Sequence, residues 1–156
     1  MMTATILLAM QVAAPVEQPD LEVAIAAEQG VEFDVDCRDT TTQMDMNICA
    51  FRDYEAADRE LNEQWRETAE VMKAADAGSH YDDGRSGSFE ALLEGQRAWL
   101  KLRDAHCRLV GYDVRGGSLE PMMVSMCRTR MTRERTFHLR ELTINQASRE
   151  SKIEDY

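Results

Sequence analysis

The chain has 156 residues, with 29 Asp and Glu against 18 Lys and Arg and a net charge of −11. That length sets one domain as the natural expectation, and the charge argues against nucleic acid or anionic lipid as a partner while favouring basic proteins. Aromatic residues make up only 6% of the chain and Met numbers 10, which suits helices better than sheets.

Residues 1–14 contain an apolar run, Ile6-Leu7-Leu8-Ala9-Met10, followed by Val12-Ala13-Ala14, a small-residue pattern that fits a cleavage site. No Lys or Arg precedes the run, but the stretch still reads as a signal peptide for export to the periplasm or beyond the cell. No cysteine follows it, so a lipoprotein anchor is not expected, and no later stretch is long enough to span a bilayer. Residues 15–36 read as an acidic linker broken at Pro15, Pro19 and Gly30. From Pro15 to Glu67 there are 15 acidic residues against four Arg, so the first part of the chain carries the whole charge excess. A solubilising surface is the plainer meaning of such a run, and a docking surface for a basic partner the sharper one.

The first helix is expected to start at Thr42, with Asp45 three residues on as a near capping box, and to fray near Ala75. Met44, Ile48, Phe51, Leu61, Trp65 and Met72 recur at helical spacing, with Asp58 inside the stripe. A polar loop follows from Asp76 to Gly87, and Ser88 is the expected N-cap of the second helix. Leu92, Gln96, Trp99, Arg103 and Cys107 share one face of that helix. Gly95 within it costs about 1 kcal/mol against Ala, which a close backbone crossing would justify. The Gly111–Gly117 loop leads to Ser118, a candidate N-cap, and to Glu120 and Pro121, both suited to a first turn. Val124, Cys127, Met131, Leu139 and Leu142 form the next apolar stripe, with Arg135 interleaved and Arg128, Arg130, Arg133 and Arg140 mostly outward. The sum is an all-α, three-helix up-down-up bundle over residues 37–149, with a polar tail at 150–156.

Four cysteines behind an export-like leader suggest two disulfides. Three connectivities are possible. Sequence proximity favours Cys37–Cys49 with Cys107–Cys127, each contributing about 3 kcal/mol in a chain-entropy picture. There is no C-x-x-C, and His80, His106 and His138 share no ligand spacing with the cysteines, so neither a metal nor another cofactor is expected. Arg103 on an apolar face needs a carboxylate. Asp58 is the expected partner, with Gln96 and Asn62 completing the network and Arg135 as a second inward cation. A register-fixing core is favoured over a binding cleft, because nothing nearby supplies a nucleophile or phosphate cradle. No catalytic motif is present, and the chain is not expected to be an enzyme.

Several phrases together resemble the lysozyme inhibitor LprI-like domain family (DUF1311). They are Cys37, Met46-Asn47-Ile48-Cys49, Asp58 with Leu61-Asn62, the run Gln96 to Cys107, Gly116-Gly117-Ser118, Cys127, and Thr132 with Arg135 and Leu139. The resemblance covers about residues 37 to 142. It implies an exported helical domain with two disulfides and, for some members, inhibition of lysozyme. It supplies no catalytic residues. One expectation is therefore a binding module for a lysozyme or another basic protein. Its candidate contact residues are His80, Tyr81, Asp82 and Asp83, and secondarily Tyr112 and Asp113. The alternative is a structural or envelope-maintenance domain without an enzyme target.

Overall fold

The computed structural model describes residues 34–78 and 83–154. The signal-peptide reading, nearly all of the acidic linker, and His80, Tyr81 and Asp82 lie outside the described residues. Three helices follow in order: α1 (Gln43–Gly78), α2 (Ser88–Gly111) and α3 (Glu120–Glu154), with a short 3-10 turn at Tyr112–Val114. Two disulfides join Cys37 to Cys49 and Cys107 to Cys127. The fold is an all-helical up-down-up bundle, and no strand occurs among the described residues.

The start of α1 follows from two side chains. The Asp45 N–H donates to Thr42 Oγ1 at 3.1 Å, and the Thr42 N–H donates to Asp45 Oδ2 at 3.2 Å, a reciprocal capping box. The helix runs to Gly78, past the expected fraying point at Ala75. Asp76 explains the extension. Its two carboxylate oxygens accept the N–H groups of Ser88 and Phe89 at 2.7 and 2.9 Å. The last turn of α1 thereby caps α2, and the expected Ser88 cap is not used. Ser88 is the first helical residue, and Gly87 at the cap position makes no side-chain bond. A carboxylate is the better partner for orphan N–H groups at the positive end of a helix. Ser118 is likewise not a side-chain cap. Its carbonyl accepts Asn47 Nδ2 at 3.0 Å, while Glu120 Oε2 accepts the Gly116 N–H at 2.7 Å. Gly116 has φ of +77°, a conformation that glycine adopts without a steric penalty. At the other end α3 continues to Glu154, so most of the expected polar tail is helical.

α1 and α3 run parallel. Cross-bonds join Asn47 to Ser118, Thr68 to Leu139 and Thr143, and Gln64 to Arg140, at sequence separations of 71, 71, 75 and 76. Their contact is built from small and hydroxyl side chains. Ala50, Ala57 and Thr68 are buried on α1, and Ser125, Thr129, Thr132 and Thr136 on α3. Met44, Phe51 and Leu142, which the apolar stripes placed inward, are 61%, 41% and 40% exposed. The hydroxyls explain the difference. Thr129 and Thr136 each donate to the carbonyl four residues back, at 2.9 Å, so burying them leaves no donor unpaired. α2 covers one side of this pair, where Leu61, Met72, Leu92 and Leu139 form the apolar core with Trp65, Phe89 and Trp99 packed against it. Among the described residues no helix is long and apolar enough to cross a membrane.

Candidate functional site

Arg103 joins all three helices. Its side chain is only 6% exposed, and its Nη1 donates to Asp58 Oδ1 at 3.2 Å and to Thr132 Oγ1 at 3.4 Å. Its Nε donates to Asp104 Oδ1 at 3.0 Å. The guanidinium lies 5.4 Å from the Tyr54 ring centroid and 5.2 Å from that of Trp99. Burial alone would lower the Arg103 pKa, but Tyr54, Asp104 and Asp58 reverse the direction and hold it above the ordinary arginine value. The Tyr54 hydroxyl moves up as well, chiefly through burial and against the pull of Arg103. Asn62 joins the network from the exposed side and donates to Asp58 Oδ2 at 3.1 Å.

Gln96 does not complete this network. Its Oε1 instead accepts Arg135 Nε at 2.9 Å, two helical turns away from Arg103. Arg135 is the second inward cation, and burial lowers its pKa. The expectation that Arg128 points outward needs correction. Its guanidinium sits 5.7 Å from the Tyr54 centroid, and its Nε is 3.7 Å from Asp104 Oδ1. Arg140 is exposed, in keeping with the outward expectation, and donates from Nε to Gln64 Oε1 at 3.2 Å. Sequence reasoning missed Asp104, because neighbours in a helix point apart. Only the length of the arginine side chain brings Nε of Arg103 back to the next residue.

The cluster is charge-balanced, with two arginines against Asp58 and Asp104. No group of His, Cys, Asp and Glu among the described residues is arranged to hold a metal ion. A shallow surface depression lies elsewhere, on the outer side of α2 between Glu90, Leu93, Glu94 and Arg97. The Arg103 network ties α1, α2 and α3 together through Asp58, Asp104 and Thr132, a geometry able to fix helix register.

Of the contact residues expected for a partner, those described, Asp83 and the Tyr112–Asp113 pair, fall at opposite ends of the bundle. Asp83 lies in the α1–α2 connection, where Arg85 binds its carboxylate and holds it below the usual range. Asp76 at the base of that connection is also held low, by the N–H groups of Phe89 and Ser88. Tyr112 and Asp113 sit beyond the far end of α2, with Arg115 stacked 4.6 Å from the Tyr112 centroid. The 24 residues of α2 separate the two loops by about 36 Å. One narrow cleft cannot take both.

Architecture and covalent clasps define a small, disulfide-bonded three-helix domain with a buried arginine at the meeting of its helices. The sequence profile of the family described as lysozyme inhibitor LprI matches residues 37–139, and the chain belongs to that family. An uncharacterized protein of Rhizobium meliloti (strain 1021) is 49% identical to it over 108 residues, which are 69% of this chain and 78% of that protein. No solved structure matches. The two disulfides and the family together fit a protein that works outside the cytoplasm.

Proposed function

We propose that this chain is an exported lysozyme-inhibitor-type binding module. In this reading residues 1–14 direct it to the periplasm or the medium. The connection between α1 and α2 then docks onto a basic partner of the lysozyme class. The observation that carries the reading is the tether at the base of that connection. Asp76 at the end of α1 holds the start of α2 through Ser88 and Phe89, so the two ends of the connection are fixed relative to one another. Fixing a loop before contact lowers the entropy lost on binding. His80, Tyr81, Asp82 and Asp83 supply an aromatic side chain and carboxylates suited to a basic cleft. The net charge of −11 accelerates encounter with a cationic enzyme. No reaction is required of the module, and Arg103, Asp58 and Arg135 support the docking face only by keeping the helices in register.

The test is lysis of cell-wall substrate by lysozyme with the purified, oxidised protein in micromolar excess at low salt. Inhibition is expected, weakening as salt is added. It should fall at least about tenfold in Asp82→Lys/Asp83→Lys, which turns steering into repulsion. Lysis that proceeds unchanged in the presence of the wild-type protein would refute the reading.

A further inference from the structure

α2 packs on one side of the α1–α3 pair, through Asp58 and Lys73 on α1 and through Cys127, Thr132 and Arg135 on α3. No helix covers the opposite side among the described residues. There α3 carries Met126, Arg133, Phe137, Arg140 and Ile144, a single stripe by helical spacing. Each residue turns the helix by about 100°, which sets this stripe roughly a quarter-turn from the Ser125–Thr132–Leu139 row that meets α1. It lies on the flank away from Arg135. Met126, Phe137 and Ile144 are 53%, 54% and 57% exposed. Scattered exposed apolar side chains are ordinary, but three in one line mark a surface that something covers. On the same side of α1, Asp53, Glu60 and Glu67 recur every seven residues, all exposed. The acidic and basic rows border one seam. Arg140 Nε donates to Gln64 Oε1 at 3.2 Å, and Gln64 Nε2 donates to Glu67 Oε2 at 3.1 Å.

We propose that two copies of the chain pair through this face with the twofold axis parallel to the helices. Glu60 and Glu67 of one copy stand opposite Arg133 and Arg140 of the other, and the exposed apolar side chains close between them. Register favours this pairing. Bonds between α1 and α3 within one copy join residues 71 to 79 apart, so a position on α1 is level with one that far along on α3. Glu60 and Arg133, Glu67 and Arg140, and Val71 and Ile144 are each 73 apart, inside that interval. A twofold axis along the helices sets α1 of each copy over α3 of the other without changing level, so opposite charges meet in step. An axis across the helices would set α1 over α1 and α3 over α3, opposing like charges, which is strongly disfavoured.

The patch spans two helix diameters and the rise from Met126 to Ile144, about 20 Å by about 27 Å. It would bury about 1,100 Å² in total, near the lower limit of specific interfaces, so a reversible dimer is expected rather than a permanent one. With the axis along the helices, both α1–α2 connections emerge at the same end of the pair.

Sedimentation velocity on the oxidised wild-type protein, from about 5 to about 500 μM at low salt, should show a monomer–dimer equilibrium. Added salt should weaken it. Glu60→Arg and Arg133→Glu each place like charges opposite one another twice, and each should raise the dissociation constant at least about tenfold. An equimolar mixture of the two variants should dimerise again, because the mixed pair restores opposite charges at both contacts. Both positions are exposed, and far-ultraviolet circular dichroism will show that each variant keeps its helices. As a route independent of charge, Phe137→Ser should weaken the dimer too. The proposal is overturned by a wild type that stays monomeric at the highest concentration. A dimer indifferent to both reversals, or a mixture no tighter than its components, would overturn it equally.

Discussion

Arg103 on α2 meets Asp58 on α1 at 3.2 Å while its Nε is held by Asp104, so one buried guanidinium is gripped from two helices. The asymmetry matters: Arg103 is 6% exposed, while the side chains of Asp58 and Asp104 are 35% and 48% exposed. Removing the arginine therefore leaves carboxylates that can still reach water. The loss falls below the 3–5 kcal/mol typical of breaking a fully buried pair. Arg103→Met is expected to lower stability by about 2 kcal/mol, read as a lower urea midpoint with an unchanged slope. Arg103→Lys should recover little of this, because an ammonium cannot serve Asp58, Asp104 and Thr132 at once. An unchanged midpoint in Arg103→Met would show that the network contributes nothing to the fold.

Asp76 links the end of α1 to the start of α2, and its effect should depend on pH. The Phe89 and Ser88 N–H groups hold its folded pKa below the ordinary carboxyl value. The stabilisation is therefore fully present above about pH 4, where the unfolded carboxyl is ionised, and is lost as pH falls through the lower folded value. Asp76→Ala should destabilise by at most about 1 kcal/mol at pH 7, and the gap from wild type should close below about pH 4. Gly87 offers an independent check. A Cβ there would lie 2.6 Å from Asp76 Oδ2, although φ of −68° and ψ of 170° suit alanine. Gly87→Ala should thus displace the cap, and the double variant should be hardly worse than either single one. Additive losses in denaturant titrations would separate the two residues.

The helices, their order and the disulfide pairing were legible because the signals are local. Gly clusters break the chain twice, Thr42 and Asp45 cap over three residues, and each bridge closes a short stretch. Arg103 and Asp58 were legible for another reason: a charge inside an apolar stripe requires an opposite charge. The α1–α3 seam was not legible. Thr129 and Thr136 fall outside the apolar stripes and are buried because their hydroxyls bond the preceding turn, whereas Met44 and Phe51 read as core although they are exposed. The partners of Gln96 and Asp76 were missed because they depend on distances between helices, which no spacing along the chain encodes.

Glycine separates the two kinds of information clearly. Gly95 was expected to justify its helical cost by a close crossing, yet a Cβ there would meet nothing within 4 Å. The close approach is at Gly111, where a Cβ would lie 2.6 Å from Val124 Cγ2 and 3.3 Å from Glu120 Cγ. Val124 is β-branched and held in a helix, so it has little room to yield. Gly95→Ala should stabilise by about 1 kcal/mol, and Gly111→Ala should destabilise by about 1–3 kcal/mol. Thermal midpoints moving in the same direction for both would contradict this account of the two positions.

The two disulfides differ in what surrounds them, and a reductant should tell them apart. Cys107 and Cys127 are 0% and 6% exposed, whereas Cys37 is exposed on a strap outside the bundle. Exchange requires a thiolate to reach a sulfur, so access alone favours attack on the Cys37–Cys49 bond. Arg52 adds to the bias: its Nη1 lies 3.8 Å from Cys37 Sγ, where its positive charge draws the attacking thiolate to that sulfur. Limited dithiothreitol followed by alkylation and mass spectrometry should label Cys37 and Cys49 at least about tenfold faster than Cys107 and Cys127. Helical circular dichroism should hardly change at that stage, because α1 keeps its own cap at Thr42 and Asp45 and its seam with α3. Losing the second bridge should have a larger effect. Cys107→Ala/Cys127→Ala frees the α2–α3 connection and opens a void beside Met131, and should lower stability by about 3 kcal/mol or more. Equal labelling rates at all four cysteines would mean that the bundle opens before either bond is attacked, and the contrast between strap and core would then have no kinetic meaning.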